Sequence, residues 1–288
     1  MHLLYPFAKR FIAGETLKTA LPNIQSLNHL GFLSTIDVLG ENVYTVHQAQ
    51  AARQEYLDLI QAIDELHFPL DISIKLTQMG LNIDPDLCRN NINKLIQAAG
   101  KHTVRFDMEG SDTTDRTIQL GRDLHRAHNN LGLVLQAYLL RTESDVETVI
   151  RERISTRLCK GAYKEPPEVA YQDKNSIQEN FLKLAFRLLK EGFMPAMATH
   201  DEFLIQEIIQ FVEKENISPK TFYFELLYGV RRDLQKILLG KGYQVRIYVP
   251  YGNSWLPYTL RRLAERKENI FFVLKSLARE TFGLGKFH

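Results

Sequence analysis

The sequence predicts an α/β fold: a closed (βα)8 barrel of the TIM type, distorted from the ideal form, with extra N-terminal and C-terminal helices. Short β-rich runs recur along the 288 residues, and each is followed by a segment with apolar residues at helical spacing. Several of these runs are almost continuously apolar, as in parallel strands that are covered on both faces. No linker or low-complexity tract divides the chain. We therefore expect a single barrel domain over residues 1–288.

Eight β-rich runs define the predicted barrel. Eight such units in 288 residues favour a closed barrel over an open doubly wound sheet. We expect residues 1–30 to form a helical extension before the barrel, and residues 271–281 to form a further helix after its eighth helix. The predicted strands are 32–38, 70–76, 104–108, 131–138, 157–162, 195–199, 222–227 and 245–249, and the helical segments between them include 50–66, 116–128 and 177–190.

The composition argues against a general attraction to nucleic acid or membranes, because 36 Lys and Arg residues face 34 acidic ones, a formal net charge of +2. Cys88 and Cys159 are too few for a disulfide framework, which favours a reducing compartment. The N-terminus lacks the apolar stretch of a signal peptide, and the longest apolar region, 131–140, is too short to span a bilayer. We expect a cytoplasmic protein, and peripheral contact with the inner face of the membrane stays open.

Polar side chains stand at the ends of the predicted strands, where the loops of a barrel meet at one mouth. Buried charged groups are unfavourable unless they are paired or bind a ligand. Taken singly, each is explained as well by a structural ion pair, but together they predict a site for a polar ligand. The residues are Glu41, Lys75, Asp107, Glu109, Gln136, Arg157, Lys160, Thr199, His200, Asp201, Glu225 and Tyr248.

The segment after the eighth predicted strand is the most specific feature of the sequence. Ser254 is suited to cap a helix that begins there, and Pro257 is tolerated in its first turn. An adjacent arginine pair beside a tyrosine suits a carboxylate, which guanidinium groups bind bidentately, whereas the alternative is a solvated basic face. Four residues of this helix fall on one stripe at helical spacing: Tyr258, Arg261, Arg262 and Glu265.

These residues lie within stretches that resemble the proline dehydrogenase family, in particular its compact monofunctional bacterial members. The stretches occur in the order found in the family and cover nearly the whole predicted barrel. The two most specific are RLCKGAY at 157–163 and the segment 248–265, which has the pattern YxPYG followed by YxxRRLxE. The others are IDVLGE at 36–41, SIKL at 73–76, RFDME at 105–109, LQAY at 135–138, ATH at 198–200 and LLYG at 226–229.

The resemblance implies an FAD-dependent oxidation of L-proline to Δ1-pyrroline-5-carboxylate by hydride transfer to the flavin, the first step of proline catabolism to glutamate. The sequence has no GxGxxG or P-loop motif, which agrees with FAD bound without a Rossmann fingerprint. The resemblance further implies that the electrons pass to a quinone. The length leaves no room for the second dehydrogenase domain of bifunctional members, so a separate pyrroline-5-carboxylate dehydrogenase would act downstream.

The resemblance also assigns roles to single residues. Arg157 would contact the flavin near its reactive nitrogen, and Asp107 would orient Arg157. Lys75 would join the arginine pair at the proline carboxylate, and Glu41 would pair with Arg261 as a gate. The implied substrate-binding residues are Lys75, Arg261, Arg262, Tyr163, Ala162, Tyr258, Leu227, Glu41, Glu265 and Tyr248, the last of which would close the pocket. The implied cofactor-binding residues are Arg157, Gln136, Lys160, Gly161, Ala162, Tyr163, Lys174, Thr199, His200 and Glu225.

Glu225 departs from the pattern of the family, because bifunctional relatives commonly have Gln at this position, as a flavin contact. A carboxylate there disfavours an anionic reduced flavin, and the contact that Glu225 makes stays open. Cys159, inside the fifth predicted strand, is interpreted as a small packing residue and not as a nucleophile.

Three other functions remain as alternatives. Lys75 and Lys160 at strand ends are compatible with a Schiff-base aldolase, although both have acids and arginines nearby. The arginine pairs are compatible with a patch for nucleic acid or an acidic protein, which the near-neutral charge disfavours. His125 and His128, with Asp123 nearby, are compatible with a metal site, but the spacing matches no known metal-binding pattern.

Overall fold

The computed structural model describes residues 8–66 and 70–264, with side chains as far as residue 260. Within these residues, eight strands alternate with helices along the chain, and one helix precedes the first strand. The strands are β1 (Leu33–Val38), β2 (Asp71–Ile74), β3 (Thr103–Phe106), β4 (Leu131–Gln136), β5 (Ser155–Cys159), β6 (Ala196–Ala198), β7 (Tyr223–Leu227) and β8 (Val245–Tyr251). The helices are α1 (Leu17–His29), α2 (Val46–Asp64), α3 (Pro85–Ala99), α4 (Ser111–His125), α5 (Thr142–Arg151), α6 (Lys174–Glu191), α7 (Glu202–Lys214), α8 (Arg232–Gly240) and α9 (Trp255–Ala264).

The eight strands form a closed barrel in chain order, and every neighbouring pair is parallel. The pairing of β1 with β8, from Leu33 opposite Arg246 to Val38 opposite Tyr251, closes it. The predicted (βα)8 barrel is therefore confirmed, and so is the N-terminal helix, which is α1. The predicted C-terminal helix at 271–281 lies outside the described residues.

Six of the eight strands end at other residues than the sequence predicts, and the largest consequences for the site come from β2 and β8. β2 stops at Ile74 because the chain turns directly after it, with the amide of Gln78 bonded to the carbonyl of Lys75 at 3.1 Å. β8 continues to Tyr251 and includes Pro250, because β1 pairs with it along its full length. These ends bring Lys75 into the loop above β2 instead of onto the strand itself.

Capping side chains fix where the helices begin. Thr45 forms a capping box with Gln48 at the start of α2, and Asp84, Asp173 and Asp201 each accept a backbone N–H at the start of α3, α6 and α7. Each cap satisfies a backbone donor that the first turn of a helix leaves unpaired. The caps therefore fix the loops that lead from the strand ends into the helices, and these loops border the mouth of the barrel.

The inside of the barrel is unusual because charged side chains replace most of the branched apolar ones that fill such barrels. At the amino-terminal end of the strands, Asp71 accepts from Arg105 at 3.0 Å and from Arg246 at 2.6 Å. The apolar core lies outside the strands, between them and the helices. Eight charged residues of this interior balance in formal charge: Asp37, Asp71, Asp107, Glu225, Lys75, Arg105, Arg157 and Arg246.

Candidate active site

A cavity of about 440 Å³ opens at the carboxyl ends of the strands, which is within the usual size range of small-molecule sites. Every strand, or the loop that follows it, contributes to its wall. The lining residues are Asp37, Lys75, Asp107, Met108, Val134, Gln136, Arg157, Cys159, Lys160, Gly161, Ala162, Tyr163, Ala198, Thr199, His200, Glu225, Leu226, Leu227, Tyr248 and Tyr258.

The floor of the cavity is built around the ammonium group of Lys75. Its Nζ lies 2.7 Å from Oδ1 of Asp37 and 3.3 Å from Oδ2 of Asp107. Burial alone would lower the pKa of Lys75, but the two carboxylates outweigh it and raise that pKa. Burial raises the pKa of Asp37, whereas Lys75 and Arg157 outweigh the burial of Asp107 and lower its pKa. Lys75 is therefore held as an ammonium ion.

Arg157 lies beside this floor, between two carboxylates. Its Nη1 donates to Oδ1 of Asp107 at 2.8 Å, and its Nη2 lies 2.8 Å from Oε1 of Glu225. Burial would lower the pKa of Arg157, but Glu225 and Asp107 outweigh it and raise that pKa. The guanidinium carbon lies 5.0 Å from the ring centre of Tyr248, whose hydroxyl donates to Asp107 at 2.7 Å. Arg157 is thus fixed in place and permanently charged.

The loop after β5 forms one side of the mouth, and a glycine lets it approach closely. Gly161 has φ +122°, and a Cβ at this position would lie 2.2 Å from the ring of Tyr138. Only glycine accommodates both this backbone conformation and this contact. Next to it, Nζ of Lys160 lies 2.5 Å from Oδ2 of Asp201, which also accepts from Gln178 at 2.7 Å. The glycine therefore allows this loop to pack closely against Tyr138 at the mouth of the barrel.

The remaining wall residues are fixed by hydrogen bonds to the backbone. Nε2 of His200 accepts from the amide of Leu227 at 2.9 Å, so the neutral ring carries its proton on Nδ1. Gln136 donates to the carbonyl of Glu109 at 2.9 Å, which leaves its amide oxygen available in the wall. The Glu109 carboxylate accepts from the hydroxyl and the amide of Thr77, and Glu109 does not line the cavity.

The structure brings fourteen of the predicted site residues together around this cavity. Glu41 is half-buried in the loop after β1 and does not line it, and Lys174 is exposed at the start of α6, also outside it. Arg261 and Arg262 belong to α9, but their side chains, like Glu265, lie outside the described part of the chain. Tyr248 lines the cavity and donates its hydroxyl to Asp107, and its closing of the pocket stays a prediction.

Asp37 is the principal site residue that the sequence did not predict. It is 1% exposed, lines the cavity and makes the shortest contact to Lys75. Its signal is present in the sequence, because a single acid interrupts the otherwise uncharged stretch of β1. Met108 and Val134 also line the cavity and supply apolar surface to it.

The geometry weakens two of the alternatives. A Schiff-base lysine needs a neutral amine, but carboxylates raise the pKa of Lys75, and Lys160 is paired with Asp201. Within residues 8–66 and 70–264, no group of three or more His, Cys, Asp and Glu side chains is arranged to hold a metal ion. Asp123, which the metal hypothesis needs, instead pairs with Arg89 and Arg126. Burial raises the pKa of Cys159 to about 12, which agrees with a packing residue.

A closed (βα)8 barrel with a buried lysine, an arginine and carboxylates converging at the carboxyl ends of its strands has the architecture of a barrel enzyme. The sequence model of the family described as proline dehydrogenase matches residues 20–275. The chain therefore belongs to the proline dehydrogenase family, as the sequence predicted. The family is one of oxidoreductases, so the predicted enzyme class, in proline catabolism, is confirmed as well.

Two compact curated relatives match over most of their length, and a bifunctional one matches over about a quarter of its length. Proline dehydrogenase 2 of Bacillus subtilis is 36% identical over 275 residues, which are 95% of this chain and 91% of that protein. The proline dehydrogenase of Deinococcus radiodurans is 36% identical over 281 residues, with the same two coverages. The bifunctional protein PutA of Escherichia coli is 27% identical over 317 residues, covering 92% of this chain and 24% of PutA. The compact monofunctional form therefore fits this chain.

A solved structure supports the fold. The chain resembles the crystal structure of proline utilization A from Bdellovibrio bacteriovorus with a TM-score of 0.85 and 24% identity. The match covers 91% of this chain and 33% of that one, so the chain spans about a third of the larger protein.

Family membership implies a flavin cofactor, and the cavity has features that fit one. Gly161 lines the cavity, in a loop that only glycine allows to pack against Tyr138. Among the described residues, no donor bonds to either carboxylate oxygen of Glu225, and no acceptor bonds to Nε of Arg157, although both groups are buried. A ring system with N–H and carbonyl groups would satisfy such atoms, since buried polar groups are almost always hydrogen-bonded.

No helix in the described residues is long and apolar enough to cross a membrane.

Proposed function

We propose that this chain oxidises L-proline to Δ1-pyrroline-5-carboxylate in the cavity at the barrel mouth, with FAD as the flavin. The observation that carries the proposal is the cluster of Lys75, Asp107 and Arg157 in this cavity. These three residues belong to the stretches that resemble the family. FAD, when bound, would supply the acceptor for the hydride from the ring carbon next to the proline nitrogen. The protein supplies orientation, charge and the exclusion of water.

The cofactor would be held by residues of β4, β5 and β6 and the loops that follow them. Arg157 is buried and rigidly paired, so it would present its charge to the reactive part of the flavin without reorganisation. Asp107 orients it through Nη1. The proposed cofactor contacts that line the cavity are Arg157, Gln136, Lys160, Gly161, Ala162, Tyr163, Thr199, His200 and Glu225. Lys174, exposed at the start of α6, stays a prediction for the outer part of the FAD.

The substrate would bind between the flavin and the positively charged groups. Lys75, fixed as an ammonium ion by Asp37, would bind the proline carboxylate together with Arg261 and Arg262. Glu41 would pair with Arg261 and close the site. Correct placement of substrate against cofactor can supply roughly 7–11 kcal/mol of a barrier. The apolar contacts to the ring would come from Ala162, Tyr163, Leu227, Tyr248 and Tyr258, which line the cavity, and Glu265 stays a prediction.

The biological setting follows from the chemistry of the two half-reactions. The reduced flavin needs an acceptor, and we infer a quinone, reached from the cytoplasm at the inner face of the membrane. The product needs a second oxidation, which we assign to a separate pyrroline-5-carboxylate dehydrogenase. We also propose that residues 1–288 form a single barrel domain, since the family match at 20–275 runs past the last described helix.

An anaerobic visible absorption spectrum before and after addition of L-proline tests the proposal. We expect a flavin band that bleaches on L-proline and persists on D-proline, the mirror-image control. A band that persists on both would overturn the substrate assignment. No flavin band, even after reconstitution with FAD, would overturn the cofactor and the function together.

A further inference from the structure

Glu225 is a buried carboxylate that meets the cavity beside Arg157. It lies on β7, is 2% exposed and lines the cavity wall. Its Oε1 lies 2.8 Å from Nη2 of Arg157, which is an ion-pair distance. The directions of the groups miss hydrogen-bond geometry, so both oxygens of Glu225 lack a donor among the described residues. The carboxylate therefore acts on Arg157 through its charge and keeps its capacity to accept a hydrogen bond from a ligand.

The charges around Arg157 do not sum to a positive site. Lys75 is matched by Asp37 at 2.7 Å, so these two form a neutral pair. Arg157 faces the carboxylates of both Asp107 and Glu225 at 2.8 Å, so two negative groups offset its single positive charge. Charges interact more strongly in a buried site than in water, because the effective dielectric constant is lower. Glu225 therefore weakens the electrostatic attraction between Arg157 and any group that gains negative charge in this cavity.

We propose that Glu225 lowers the reduction potential of the bound flavin by neutralising Arg157. The inference rests on the proposed function, since it requires a flavin in this cavity. Two-electron reduction makes the flavin more electron-rich, and a nearby carboxylate destabilises the reduced form relative to the oxidised one. A lower potential makes the reduced flavin a stronger reductant toward its acceptor, and it makes the oxidation of the substrate less favourable by the same amount.

The midpoint potential of the flavin in the Glu225→Gln variant tests this directly. Glutamine keeps the size of the side chain and removes its charge. We expect the reduction equilibrium to shift at least about tenfold toward the reduced flavin, which for a two-electron couple is about 30 mV more positive. Glu109→Gln is the matched control, because it removes another buried carboxylate, one that does not line the cavity. Its potential should stay at the wild-type value.

A second pair of measurements separates charge from shape. Glu225→Asp keeps the charge and shortens the side chain, so we expect its potential to stay closer to that of the wild type than to that of Glu225→Gln. Sulfite titration gives an independent readout: its sulfur lone pair forms a bond to the oxidised flavin, nothing leaves, and the adduct gains the negative charge. Glu225→Gln should bind sulfite about tenfold more tightly, a difference of about 1.4 kcal/mol.

The possible failures are distinct. A wild-type protein that binds no flavin overturns the proposed function. Wild-type and Glu225→Gln proteins with bound flavin and equal potentials overturn the inference and leave the function standing. If Glu225→Gln loses its flavin, Glu225→Ala replaces it, and the same shift in midpoint potential is expected. If the midpoint potential rises as much in Glu225→Asp as in the uncharged variant, the shape of the side chain sets the potential, and the inference is overturned.

Discussion

Lys75 lies 2.7 Å from Asp37 on β1 and 3.3 Å from Asp107 at the end of β3, so one ammonium group joins the two strands that flank β2. The contact to Asp37 is the shorter one and is the more deeply buried. Asp37 therefore sets the direction of Lys75, and Asp107 remains available to Arg157 and to the hydroxyl of Tyr248.

Replacement of Asp37 by Asn should raise the Michaelis constant for proline and change kcat less. The ammonium of Lys75 then turns toward Asp107 and loses its fixed position at the proposed carboxylate. A charged hydrogen bond contributes about 1.5–3 kcal/mol, so we expect the constant to rise at least about tenfold. Steady-state kinetics check this, with the exposed Asp58→Asn variant as the control. An unchanged Michaelis constant would contradict a positioning role for Asp37.

Arg261→Met and Arg262→Met should each weaken proline binding and leave the flavin bound, because both residues are predicted to contact the substrate carboxylate alone. Loss of a bidentate charged contact should raise the Michaelis constant about tenfold or more. The flavin content, read from the visible spectrum, should equal that of the wild type. Arg232→Met, an exposed position on α8, serves as the control, and normal Michaelis constants in both test variants would refute the carboxylate assignment.

Arg157→Met should slow the reduction of the flavin by proline, because it removes a fixed positive charge from the reacting centre. Removal of one such electrostatic group typically lowers the rate about 100-fold. It also leaves Asp107 and Glu225 without their shared partner. Anaerobic stopped-flow single-turnover measurements give the rate, and Arg89→Met, in a surface pair with Asp123, is the control. A single-turnover rate equal to that of the wild type is the outcome that rejects this role.

The charged triad at the base of the barrel should make stability depend on pH. Burial alone would raise the pKa of Asp71, but Arg246 and Arg105 outweigh it and lower that pKa. A carboxylate with a lowered pKa in the folded state stabilises the protein above its unfolded pKa of about 3.9, and this contribution is lost as the pH falls through the folded pKa. Asp71→Asn breaks a buried pair and should lower the free energy of unfolding by about 3–5 kcal/mol near pH 7.

Urea unfolding of Asp71→Asn at several pH values is the measurement. The deficit relative to the wild type should persist down to about pH 4 and shrink below it, as the wild-type carboxylate takes up its proton. The exposed Asp58→Asn variant should stay within about 0.5 kcal/mol of the wild type throughout. If the difference in the free energy of unfolding between wild type and Asp71→Asn grew as the pH fell, the proposed stabilisation by ionised Asp71 would be contradicted.

Both thiols should be inert in the folded protein. Burial raises the pKa of Cys88 and of Cys159 to about 12, so at pH 8 only about one thiol in 10⁴ is ionised, against a sizeable fraction for a free thiol of pKa about 8.5. Alkylation by iodoacetamide should therefore be about a thousandfold slower than for a free thiol, and both cysteines should react after unfolding. Rapid native labelling of Cys159 would reopen its interpretation as a packing residue.

The sequence predicted the barrel because parallel strands covered on both faces leave continuous apolar runs, and it predicted most of the cavity because charged residues interrupt those runs near their ends. It did not predict the partners. The contact of Asp37 with Lys75 depends on the register in which Asp37 stands opposite Ser73. The meeting of Arg246 with Asp71 depends on closure of the barrel, because 175 positions separate them in the chain. Neither register nor closure is encoded in local periodicity.

The charged interior of the barrel also limits how the family can change its sequence. A substitution that removes one of the eight balanced charges leaves another buried without a counterpart, which selection removes unless the opposite group changes too. Among related sequences, charged residues inside the barrel should therefore be substituted in compensating pairs, whereas residues on the outer faces of the helices should be substituted independently. We therefore expect relatives of this chain to keep the charge balance of the interior even where single interior residues differ.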